Sequence, residues 1–143
     1  MTVATILAEK GRRVLTTKAG VSVGEAAEVL ARNKIGALVI VDEADRIAGI
    51  VSERDIVRTI AAGGAEALAG AVASIMTNSV MTCHEEETIN EVMTRMTRGR
   101  FRHLPVTVGD RLVGIISIGD VVKMRIEQVE REAEEMRAYI ATA

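Results

Sequence analysis

The sequence has no tryptophan and, in 143 residues, only one phenylalanine, one tyrosine, one cysteine and one proline. So few aromatic rings argue against stacking bases on side chains, the usual device of single-strand nucleic-acid binders. A formal net charge of -2 supplies no overall basic field for a phosphate backbone. The lone Cys83 allows neither an intramolecular disulfide nor a thiolate metal cluster, which fits a reducing compartment. No run approaches the roughly 18 to 20 apolar residues of a membrane helix. Residues 1–18 also lack a basic start followed by an apolar segment and a cleavage site. Together these absences predict a cytoplasmic protein with neither nucleic acid nor membrane as partner.

What is present is a globular composition, 48% hydrophobic and 27% charged, built around one distinctive stretch. Gly114-Ile115-Ile116-Ser117-Ile118-Gly119-Asp120 has a near-copy in Gly49-Ile50-Val51-Ser52-Glu53-Arg54-Asp55. In each, an apolar run reads as a buried strand, and Ser-x-x-Asp reads as a helix start whose serine oxygen caps free backbone N–H groups. Such a corner offers unsatisfied amides and the positive end of a helix dipole to an anion. Its aspartate can accept hydrogen bonds from hydroxyls. A diol beside a phosphate suits it. A single Ser-x-x-Asp is usually only a cap, so the duplication carries the weight.

The duplication runs through most of the chain. An offset of 66 residues sets Thr16 on Thr82, Glu25 on Glu91 and Ala37 on His103. Even the lead-ins repeat, with Val3-Ala4-Thr5-Ile6-Leu7 resembling Val72-Ala73-Ser74-Ile75-Met76. Each half reads as a short extended piece (residues 14–16 or 80–83), a helix capped by Ser22 or Thr88, and a strand (37–41 or 103–108). After a turn, a second strand (47–51 or 112–116) runs into the helix at the corner. The fold class is therefore α/β (α+β), two β-α-β-β-α repeats. A half of roughly 60 residues buries too little surface to stand comfortably alone, so the repeats are expected to pack with pseudo-twofold symmetry. The boundaries read as repeat 1 over 1–62, a linker over 63–71, repeat 2 over 72–128 and a C-terminal helix extension over 129–143. Val121, Val122, Ile126, Val129, Ala133, Met136 and Ile140 form an apolar stripe in that last helix. It can pack on its own domain or on a second copy of the chain.

Two tandem units ending Gly-Ile-Val/Ile-Ser-x-x-Asp, with Arg102-His103-Leu104-Pro105-Val106 before the second motif, resemble a pair of CBS domains, the Bateman module. The resemblance covers residues 3 to about 123. It implies a non-catalytic regulatory module that binds adenine nucleotides in clefts between the repeats and signals to a regulated protein in trans, commonly as a homodimer. AMP comes first among the implied ligands, with ADP, ATP, NAD(H) and S-adenosyl compounds as alternatives, and no cofactor is required. Carried over residue by residue, it assigns Asp120 with Ser117, and Asp55 with Ser52, to the ribose. It assigns Arg102 and His103 to phosphate, and Thr16, Thr82, Val80, Leu104 and Ala37 to the adenine and its backbone contacts. Aliphatic side chains such as Val14, Leu38 and Ile115 could flank the base. Gly36-Ala37 stands where the second repeat has Arg102-His103, so the Asp120 corner is expected to bind more tightly than the Asp55 corner. Cys83 and His84 make no metal set. No nucleotide-binding glycine loop and no nucleophile with its base is evident, which speaks against an enzyme. The alternative is a structural interaction scaffold in which both corners are only caps.

Overall fold

The computed structural model describes residues 1–142. Helix α1 (Val3–Lys10) precedes strand β1 (Thr16–Lys18), helix α2 (Val23–Asn33), strands β2 (Ala37–Val41) and β3 (Ile47–Ser52) and helix α3 (Glu53–Gly63). Two 3-10 turns, Ala65–Ala69 and Val72–Ser74, lead to helix α4 (Ile89–Gly99), strands β4 (His103–Val108) and β5 (Arg111–Ser117) and helix α5 (Ile118–Thr142). Residues 63–71, read from the sequence as a linker, carry the first of these turns. Among the described residues no helix is long and apolar enough to cross a membrane.

Local chemistry repeats with the sequence. Ser22 Oγ accepts the Glu25 N–H at 3.0 Å and Thr88 Oγ1 accepts the Glu91 N–H at 3.1 Å, the same N-cap in both copies. Both capped helices also end on a left-handed residue, Lys34 (φ 53°) and Arg100 (φ 56°). In the first repeat β1 runs parallel to β2, with Thr17 opposite Ile40, and β2 pairs antiparallel with β3. In the second, β4 pairs with β5. The extended piece expected at 80–83 shrinks to a single parallel bridge between Cys83 and Val106. That bridge is the counterpart of Thr17 and Ile40.

The chain divides into two compact units that do not follow sequence order. Met1–Arg13 groups with Thr82–Val108 and Val113–Ala143, while Val14–Met81 groups with Gly109–Leu112. In the first unit Val3, Ile6 and Leu7 share a core with Ile89, Val92, Met96, Leu104, Val106, Ile116 and Val121. In the other, Val72 joins Val23, Leu30, Leu38, Ile40, Val51 and Ile56, with Ile75 and Met76 packed against them. Each lead-in therefore serves the repeat that it does not precede.

Matching backbone bonds hold both lead-ins. Val3 and Ala4 donate to the carbonyls of Glu87 and Glu85 at 2.9 and 3.0 Å, and Ile89 donates to Met1 at 3.2 Å. Val72 and Ala73 donate to Val21 and Ala19 at 2.8 and 3.3 Å, and Val23 donates to Gly70 at 2.8 Å. The motif glycines explain the packing. A Cβ on Gly114 would lie 2.7 Å from Leu7 Cδ2, and one on Gly49 would lie 2.5 Å from Met76 Sδ. Glycine is needed there so that the lead-in side chain can lie across the strand.

Candidate functional site

Each second strand runs straight into its helix, because Ser52 and Ser117 end β3 and β5 and their side chains serve the first turn of α3 and α5. In the first repeat the Ser52 N–H and Oγ–H both donate to Asp55 Oδ2, at 2.8 and 3.1 Å. The Asp55 N–H donates back to Ser52 Oγ at 3.3 Å. In the second, the Ser117 N–H donates to Asp120 Oδ2 at 2.8 Å and the Asp120 N–H to Ser117 Oγ at 3.2 Å. The next residue ties each corner to the preceding strand. Glu53 N–H donates to the Gly36 carbonyl at 3.0 Å, and Ile118 N–H to the Arg102 carbonyl at 2.8 Å. The two corners are thus the same construction.

They differ in one cation. Lys10 Nζ donates to Asp120 Oδ2 at 2.7 Å and to the Ile115 carbonyl at 2.9 Å. At the equivalent place in the first repeat, Ile50 instead exchanges two backbone bonds with Thr77, at 3.0 and 2.9 Å. The cause lies in the lead-ins. Helix α1 continues to Lys10, whereas the second lead-in leaves its 3-10 turn at Ser74 and is extended by Thr77. Burial alone would raise the pKa of Asp120, but hydrogen bonds from Lys10 and from the Ser117 backbone, the Lys10 charge and the Ser117 hydroxyl outweigh it. The carboxyl accordingly titrates below its usual range. The bonds given above that the two carboxylates accept all fall on Oδ2, so Oδ1 keeps lone pairs for hydroxyl donors.

The remaining sequence-nominated residues fall in two groups. In the unit containing Asp120, Arg102 is exposed and its carbonyl touches the corner. His103, half-buried, opens β4. Thr82 is half-buried, and its carbonyl accepts from Arg95 at 2.6 Å while Arg95 also pairs with Glu87 at 2.7 Å. In the other unit are Asp55, Ser52, Thr16 opposite Val39, the nearly buried Ala37 and the half-buried Val80. Leu104 and Leu38 are wholly buried core residues, backbone included, so neither offers accessible surface to a ligand. Val14 and Ile115 are half-buried. Among the described residues there is no group of three or more His, Cys, Asp or Glu able to hold a metal ion. Lys10 and Arg95 escaped the sequence reading. Lys10 lies in residues 9–13, which have no counterpart in the repeat alignment, and its partners are 105 and 110 residues away.

The CBS domain family profile matches residues 10–62 and again 72–127. The chain belongs to the CBS-domain family and carries two copies in tandem. It is 48% identical to the CBS-domain containing protein ATU1752 from Agrobacterium tumefaciens, with a TM-score of 0.85, covering 87% of this chain and 92% of that one. It is 29% identical to the CBS domain pair of protein MJ0100, crystallised with 5-methylthioadenosine and S-adenosyl-L-methionine (TM-score 0.80; 90% and 98% covered). It is also 28% identical to PAE2072 from Pyrobaculum aerophilum, crystallised with AMP (TM-score 0.75; 84% and 89% covered). A curated relative, the mitochondrial CBS domain-containing protein CBSX3 of Arabidopsis thaliana, is 35% identical over 123 residues. That match takes in 83% of this chain, which spans 60% of the relative's length.

Proposed function

We propose that this protein is a non-catalytic sensor of adenosine-containing ligands, with Asp120 and Ser117 receiving the ribose and the Asp55–Ser52 corner acting as a second, weaker site. The carrying observation is the Asp120 carboxylate, held ionised by Lys10 and anchored through Oδ2 at a helix start. Two related domain pairs crystallised with adenosyl ligands support the class.

Within that class the charges favour AMP over S-adenosyl compounds. Lys10 Nζ is at the Asp120 corner itself, and the exposed Arg102 meets that corner through its backbone carbonyl, with its side chain in solvent. Cations there attract a phosphate and repel a sulfonium. Arg102 and His103 are assigned to that phosphate, and Thr82 to the base, with the buried Leu104 lying beneath it in the core. Thr16, Val80 and Ala37 take the corresponding part near Asp55. Binding shifts the module toward whichever conformation has the higher ligand affinity, and a separate regulated protein reads that shift.

A thermal-shift screen with AMP, ADP, ATP, NAD(H) and S-adenosylmethionine tests the reading. At one hundred times its dissociation constant, a true ligand stabilises by about 2.7 kcal/mol. Asp120→Ala should abolish the tighter response, and prolonged incubation should leave the nucleotide unconverted. The reciprocal capping bonds of Ser52 with Asp55 favour a second reading, a scaffold whose corners only start helices. In that case none of the ligands shifts the melting transition.

A further inference from the structure

We propose that α5 joins two copies of this chain in a parallel two-stranded coiled coil. Val122, Ile126, Val129, Ala133, Met136 and Ile140 follow one another at alternating intervals of four and three residues. That is heptad spacing, with Ile126, Ala133 and Ile140 at a positions and Val122, Val129 and Met136 at d. The helix's own core contacts, Val121 and Met124, fall at c and f, on the opposite face. The seam is consequently left open: Val122 is 43% exposed, Ile126 53%, Val129 46%, Met136 59% and Ile140 66%.

Two further observations identify the occupant. From Val129 to Thr142 no residue of α5 is buried, and only Ala133 is half-buried. A helical stretch that short is marginal in water without a partner, and heptad packing against an identical helix supplies one. The flanking charges then choose a second copy and its direction. In a parallel pair, g faces the e position of the partner's next heptad, so Arg125 meets Glu130 of the second copy and Glu132 meets its Arg137. Both contacts are attractive. An antiparallel pair on the same six layers would set Glu130 against Glu130, Glu132 against Glu132 and Lys123 against Arg137. All three are repulsive.

Sedimentation of the full-length protein at concentrations on the order of 1 to 100 µM tests the proposal, and ligand enters none of its readouts. The wild type should sediment as a dimer. Ile126→Asp with Val129→Asp should raise the dissociation constant at least about 100-fold and lower the helical circular dichroism by no more than the stretch after Val129 accounts for, since neither side chain belongs to the protomer's core. Glu130→Arg should weaken the dimer, and adding Arg125→Glu should restore it. Val129→Cys should cross-link to itself on mild oxidation, whereas Arg131→Cys, at an outward f position, should not. The buried Cys83 makes no background. A monomeric wild type, a dimer that survives the double aspartate change, or cross-linking of Val129→Cys only to Ala133→Cys chains would each overturn the proposal.

Discussion

Lys10 and Asp120 are the residues on which the two corners diverge. Because folding depresses the Asp120 pKa, its contribution to stability is complete above the ordinary carboxylate pKa and is lost as pH falls through the folded value. Asp120→Asn should therefore lower stability at pH 7, and its difference from wild type should shrink below about pH 4 in chemical denaturation. The side chains of the pair are 35% and 26% exposed, so a double-mutant cycle with Lys10→Met should find a coupling no larger than about 1 kcal/mol. Cys83 makes a contrasting case. Burial, and then the nearby Glu87 carboxylate, push its thiol up to about 12. The native protein should be inert to thiol reagents at pH 8 and should react with one equivalent once unfolded.

At the scale of elements, the sequence displayed what repeats locally and hid what is exchanged. The caps at Ser22 and Thr88, the paired strands and both Ser-x-x-Asp corners were legible, because each is a short-range pattern with its own spacing. The similarity of residues 3–7 to 72–76 was visible too. That each lead-in packs on the other repeat was not, since a core residue's partner across the chain leaves no local mark. Leu7 over Gly114 and Met76 over Gly49 supply the missing link. Gly114→Ala must displace the fully buried Leu7 and should cost about 1 to 3 kcal/mol by calorimetry. Lys34 is a milder case, an exposed non-glycine residue in left-handed geometry at a helix end. Lys34→Gly should raise the unfolding free energy by about 0.5 to 1 kcal/mol. Lys10 stayed hidden for the same reason as the exchange, because only tertiary packing brings α1 to the second corner.

For the whole molecule, duplication gives two corners of one construction, and the unequal lead-ins make them chemically different. One aspartate is served by a serine alone, the other by a serine and a lysine, with an arginine carbonyl at its back. A molecule so made suits a ligand with a diol at one end and an anion at the other. Calorimetric titration with AMP and its 2′-deoxy and 3′-deoxy analogues tests this most directly. If the Asp120 carboxylate holds the ribose, removing either hydroxyl should weaken binding about tenfold or more, because a hydrogen bond to a charged group contributes roughly 1.5 to 3 kcal/mol. Equal affinity for AMP and both deoxy forms would contradict the account.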